Sequence, residues 1–272
     1  MAAALVAAPT PSAFATEPCG GLDECRAIVE INATDGDIGF HWLADAEGLI
    51  GTEIIDAKGR RVFSNQAFGP LREHTLTETF GESSEPVCRR WLAEEPDDEV
   101  VTLSQFLARW PAGPYKFRGH TADDETVQGQ TPLTHWLPAA PRNIQFRGGV
   151  VSWEPGVALG ACANQAELWN MVGNGRLPIH PMHVPVAAWE VTLELDDSSG
   201  RTFTIRLPAR GPRAQTSVSV PIEFLNSVAR DTPAKIEVGA IGGRLEIGDD
   251  DNATFTELTG LCLNRENGCE ED

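Results

Sequence analysis

Val184-Pro-Val-Ala-Ala-Trp-Glu-Val-Thr-Leu-Glu-Leu195 is the stretch whose reading decides the fold. From Trp189 onward the pattern alternates. Trp189, Val191, Leu193 and Leu195 share one face, and Glu190, Thr192 and Glu194 share the other. A period of two marks a half-buried β-strand, because successive side chains of a strand point to opposite faces. Similar runs follow at short spacing with no long helical run between them. The C-terminal half therefore reads as a β-sandwich, and the chain as a mainly β protein.

Composition supports this. The chain has 26 Gly and 19 Pro, which favour turns over long helices. Its 272 residues can hold one large domain or two of ordinary size, and an apolar content of 41% is enough for real cores. Forty acidic against 21 basic residues give a net charge of -19. Such a field repels phosphate backbones and anionic lipid, so nucleic acid is not expected as a partner. It attracts cations, although its simplest role is solubility. No stretch reaches the ~18 apolar residues of a membrane-spanning helix.

Residues 1–15 read as the remnant of a secretory signal. Ala2–Ala8 is a short apolar core, Pro9–Pro11 breaks it, and Ser12-Ala13-Phe14-Ala15 ends in small-x-small, with the cut after Ala15. The basic segment of such a signal is missing, which leaves the translation start open. A plain Ala/Pro tail is the other reading. Six cysteines, Cys19, Cys25, Cys88, Cys162, Cys262 and Cys269, fit an oxidising compartment. None are spaced Cys-x-x-Cys, so neither a thioredoxin-like site nor a zinc knuckle is signalled. The spacing suggests Cys19–Cys25 and Cys262–Cys269 as short loops, with Cys88–Cys162 across the halves. A bridge from an N-terminal cysteine to Cys88 is the alternative.

Residues 20–137 read as a β-domain with a helical insertion at about 70–110. Its expected strands are Arg26–Asn32, Ile38–Leu43, Ile50–Ile55, Arg61–Ser64, Tyr115–Gly119 and Val127–Leu133. Leu71, Leu76 and Phe80 suggest a short helix or turn, and Val87–Ala93 another. Leu103, Phe106, Leu107 and Trp110 follow the i, i+3, i+4, i+7 spacing of an amphipathic helix, which Thr102 can cap. Residues 138–143, opening with Pro138-Ala139-Ala140-Pro141, form a short rigid linker. Residues 262–272 are an acidic tail.

In 144–261, a strand ending Trp153-Glu154-Pro155 is followed by one with a central Trp189. This resembles the fibronectin type III pattern, in which the first Trp sits in the core on strand B. The resemblance implies strand C at Val186–Leu195, C′ at Thr202–Leu207, E at Ser217–Val220, F at Lys235–Ile241 and G at Ala253–Leu258. The chain departs from that pattern in the long insertion 156–183, in lacking the usual Tyr of strand F, and in Cys162 and Cys262. Stretches of the N-terminal half, such as Val29–His41, Leu71–Glu78 and Leu133–Pro138, are similar to a group of uncharacterised secreted bacterial proteins. In that group too a fibronectin-like half follows. The resemblance brings no activity with it.

The chemistry-bearing candidates are few. His180-Pro181-Met182-His183 can place two imidazoles on one transition metal, with a third ligand from elsewhere, and it lies in the insertion, where loops carry function. A covering loop with hydrogen-bonded histidines is the simpler reading. Asp35, Asp37, Asp249 and Asp251 offer hard oxygens in turns for Ca²⁺, without EF-hand spacing. Trp169 and Trp136 are candidates for a sugar or protein contact. His41, His74 and His135 have carboxylates nearby in sequence, but no nucleophile elbow, Walker loop or dinucleotide fingerprint accompanies them. Asn32-Ala33-Thr34 and Asn252-Ala253-Thr254 match the glycan acceptor pattern. The leading expectation is an exported non-catalytic binding or structural protein acting on a protein or glycan partner. A metal-binding protein or metal-dependent hydrolase built on 156–183, and a calcium-stabilised adhesion module, are the alternatives.

Overall fold

The computed structural model describes residues 19–197, 199–229, 232–243 and 250–263. The signal remnant and residues 264–272 of the acidic tail lie outside the described residues. The protein is mainly β, with short helices between strands.

The chain opens with β1 (Glu24–Asn32), whose Ala27, Val29 and Ile31 are buried on alternate positions. It pairs antiparallel with β2 (Asp37–Ile55), a single strand of 19 residues where the sequence suggests two. A register shift between Asp45 and Leu49, with Gly48 at φ 74, lets the strand continue through a bulge rather than stop. Before the bulge β2 pairs with β1 and β4 (Leu76–Glu82). After it β2 pairs with β3 (Arg61–Gln66) and β5 (Gly113–Thr121), and β5 pairs in turn with β6 (Thr126–Leu133).

The expected helix or turn at 71–80 divides into α1 (Pro70–His74) and the strand β4. Thr75, at φ 62, breaks the helix, and Thr79 then points inward to meet Thr52. The segment expected at Val87–Ala93 contracts to one 3₁₀ turn, Arg90–Leu92. The helix α2 (Leu103–Arg109) lies where its spacing demands it. Thr102 and Gln105 form a reciprocal capping box, and Leu103, Phe106 and Leu107 are buried.

In the second half β7 (Arg142–Arg147) and β8 (Val150–Glu154) form a small sheet that β11 (Ser217–Ser219) completes in the order β11-β8-β7. Against it lie β9 (Val186–Leu195), β10 (Thr202–Pro208), β12 (Pro233–Gly243) and β13 (Asp250–Cys262), in the order β10-β9-β12-β13. Trp153 and Trp189 meet edge to face between the two layers, 6.0 Å apart. All four inward residues read from the opening stretch, Trp189, Val191, Leu193 and Leu195, are buried there.

The insertion 156–183 leaves the second half but packs on the first. Its helix α3 (Gln165–Gly173) starts at Asn164, which shares a capping box with Glu167. Leu159, Leu168, Met171 and Leu177 join the core beneath β1, β2 and α2. The Cys88–Cys162 disulfide and the Arg89–Glu167 ion pair hold it there. Cys19–Cys25 is also bonded, and Cys262 is disulfide-bonded, while its expected partner Cys269 lies outside the described residues.

The two cores meet in one sheet, because β1 pairs parallel with β13 through Glu30–Asn32 and Ala253–Phe255. Asn252 is fully buried in this seam. Its Oδ1 accepts from the Val29 N–H, and its Nδ2 donates to the carbonyls of Thr134 and Trp136. A side chain so occupied is no glycan acceptor in the folded protein. Residues 138–141 are buried in the same seam, where the Thr256 hydroxyl donates to the Pro141 carbonyl. A Cβ on Gly156 would overlap the Ala140 carbonyl oxygen, so only glycine permits that approach.

Candidate functional site

The outer face of β1, β2 and β4 sets acidic, basic and apolar side chains side by side. The registers set its rungs. Glu30 lies opposite Gly39, Ile28 opposite His41 and Glu82, and Arg26 opposite Leu43 and Phe80. Alternation puts these side chains on one side, while Ala27, Val29, Phe40 and Thr79 point to the core. Ile28, Leu43 and Phe80 thus form an apolar strip beside the histidine, in a groove of about 540 Å³. Phe80 is 74% exposed.

At the upper rungs three ligating groups converge. One atom each from Glu30, His41 and Glu85 lie within 4.8 Å of one another. His41 Nε2 is 3.4 Å from Glu85 Oε1, and Nδ1 is 3.6 Å from Glu82 Oε2. Gly39 makes the convergence possible, since a Cβ there would sit 2.7 Å from both His41 Nε2 and Glu85 Oε1. Burial pushes the Glu30 carboxyl up to about 7; His41 draws it down, and Glu85, Glu190 and Glu237 push it up further. Burial works against a charge on His41, but contact with Glu85 and the charges of Glu30 and Glu82 outweigh it, and its pKa is raised.

Beyond Glu85 the acidic character continues. Asp35 and Asp37, the expected calcium ligands, border a groove of about 520 Å³ together with Glu85, Glu94, Asp98 and Glu99. Burial, then the charges of Glu85, Asp35 and Glu94, raise the Asp37 carboxyl above its ordinary value. Asp35 is already engaged by the Asn32 amide. Asp249 and the side chain of Asp251 lie outside the described residues.

The insertion brings together three of the residues singled out from sequence. The His180 ring lies against Trp169, with centroids 4.4 Å apart, and His183 is 6.1 Å from the same indole. The two imidazole centroids are 6.3 Å apart. His180 is buried and its Nδ1 accepts from the Met182 N–H, so it caps a one-turn helix. Among the described residues no third His, Cys, Asp or Glu joins this pair. Burial lowers the pKa of His180, and the neighbouring His183 lowers it further. Trp136 is half-buried in the seam, where its carbonyl accepts from Asn252. His135 is structural, its Nε2 bonded to the Trp110 carbonyl at 2.8 Å, and His74 is the last residue of α1.

Glu30 and Glu85 were not apparent as site residues from sequence. The signal was present only in part: Ile28, Glu30 and Asn32 occupy the outward positions of β1, and Gly39 breaks an otherwise bulky strand. Glu85 follows β4, whose register was not readable.

Among the described residues no helix is long and apolar enough to cross a membrane. Neither a protein-family model nor a curated protein matches the chain. Among solved structures, the chain is similar to a "Biofilm associated protein - BSP domain", with TM-score 0.23 and 10% identity, covering 90% of this chain and 31% of that one. It is also similar to a "tetra-tandem repeat in extending region of large adhesion protein", with TM-score 0.25 and 11% identity, over 88% of this chain and 50% of that one. The chain thus spans half or less of the length of these two structures.

Proposed function

We propose that this is an exported, non-catalytic binding module that takes an extended segment of a partner protein along the open edge of β4. The observation that carries the reading is the position of Phe80. It stands exposed on a strand whose one strand partner among the described residues is β2, with Ile28 and Leu43 beside it. An unpaired strand edge offers backbone donors and acceptors for strand addition, and the apolar strip supplies a pocket for one side chain. Glu78 and Glu82 flank Phe80 on the same face, in a chain of net charge -19. The complementary partner is therefore a segment alternating apolar and basic residues. Export is supported by the two described disulfides, which belong to an oxidising compartment.

The second half is read as a fibronectin type III-like sandwich. Support comes from the facing orders β11-β8-β7 and β10-β9-β12-β13, and from Trp153 on β8 packing against Trp189.

The test uses two synthetic ten-residue peptides, one alternating Lys and Val and one alternating Glu and Val, titrated into the full chain in the presence of chelator. The Lys/Val peptide should bind with micromolar affinity, and Phe80→Ser should weaken it at least about tenfold, a loss of ~1.4 kcal/mol. Equal binding of both peptides, no binding, or binding indifferent to Phe80→Ser rejects the proposal.

A further inference from the structure

The geometry points to a divalent transition-metal site formed by Glu30, His41 and Glu85 at the top of the outer sheet face. Three observations carry it. The three ligand atoms already lie within 4.8 Å of one another, although they come from β1, β2 and the loop after β4. The Nε2–Oε1 separation of 3.4 Å is longer than a good N–H···O bond. It is the edge expected of a tetrahedron whose ligands stand about 2.1 Å from a central ion, ~3.4 Å. Gly39 forms the floor of the site, since any Cβ there would press on both His41 and Glu85.

The donor set selects the class of ion. One imidazole nitrogen with two carboxylates suits Zn²⁺ or a similar borderline cation better than Ca²⁺, which prefers an all-oxygen shell. Two carboxylates and a neutral imidazole carry a charge of -2, which such an ion cancels. Glu82 stands on the Nδ1 side of the ring, where a carboxylate favours the tautomer that presents Nε2 to the metal. The site differs from the His180–His183 pair, where the buried imidazole faces an indole and no third donor is present among the described residues. It does not depend on the β4 edge binding a peptide, and the peptide titration is made in chelator so that each idea can fail alone.

The experiment is a ZnCl₂ titration of the full, oxidised, chelator-stripped chain by calorimetry, with X-ray absorption at the zinc edge on the one-equivalent complex. The expected result is one saturable site whose shell contains one imidazole and otherwise oxygen. His41→Ala and Glu85→Gln should each weaken it at least about tenfold, and His183→Ala should leave it unchanged. The absorption spectrum of the wild-type protein keeps the test decisive should a variant misfold. Absence of saturable binding, a shell with no imidazole or with two, or loss of the site in His183→Ala would overturn the assignment.

Discussion

The two cores of this protein are built in different ways. The second is closed within its own stretch of chain: β9 pairs with β10, β12 pairs with β9 and β13, β7 pairs with β8, and β11 returns to β8. The first borrows its roof from the other half of the chain, since Leu159, Leu168, Met171 and Leu177 fill it and Cys88–Cys162 ties them down across a separation of 74 residues. The borrowed roof must be brought back from the other half over a long loop at an entropic cost, and a disulfide marks that closure. The first core should therefore depend on covalent closure and the second should not.

The strongest way to break this contrast is to remove the bridge. The double variant Cys88→Ser, Cys162→Ser should lose about 4 kcal/mol from the first core, as expected for a loop of this length. Hydrogen exchange should show α2 and α3 deprotected first, with β9 and β12 still protected. A uniform loss over both cores would mean that they do not differ.

Asn252 sharpens the comparison from the seam. Asn252→Ala removes the side chain that accepts from the Val29 N–H and donates to the Thr134 and Trp136 carbonyls, at a cost of roughly 2–3 kcal/mol. Both halves should lose stability together, read as parallel shifts of two independent probes in urea. A shift confined to one half would show that the seam does not couple them.

The last effect expected is that of pH. The Glu30 carboxyl is raised from 4.5 to about 7, so the folded state holds its proton more tightly than the unfolded chain does. The stability it contributes is present at low pH and is lost as pH rises from about 4.5 to 7. His41 and Asp37, also raised, act in the same direction as pH rises through their folded values. Asp56 is opposite: burial works against its charge, but hydrogen bonds from Arg60 and Lys58 hold it below the carboxylate range. Its contribution is lost only as pH falls below that range. In chelator-treated protein, stability of the first half should fall between about pH 5 and about pH 7, and Glu30→Gln should flatten that slope. An unchanged slope in the variant would remove Glu30 from the explanation.

What was legible in the sequence follows the same division. The alternation at Trp189–Leu195 and the spacing of Leu103, Phe106 and Leu107 are local signals, and each element formed where its period required. The capping residue Thr102 was local too. Nothing local says that a bulge carries β2 through Gly48, or that α3 packs on the half from which it is distant in sequence. The candidate site shows the same limit. His180 and His183 attract attention because they are three residues apart, yet the structure gives them an indole as neighbour. Glu30, His41 and Glu85 are scattered over 55 positions, and only the registers of β1, β2 and β4 bring them together.

The parallel pairing of β1 with β13 has a mechanical consequence. A pull applied through the segments before β1 and after β13 draws two parallel neighbours in opposite directions along their own axes. The bonds between Glu30–Asn32 and Ala253–Phe255 are then loaded together in shear instead of opening one at a time from an end. Each of these strands is also gripped by an antiparallel partner, β2 or β12, over most of its length. Tension along the chain is therefore carried by the sheet that joins the two cores, and neither core needs to open first.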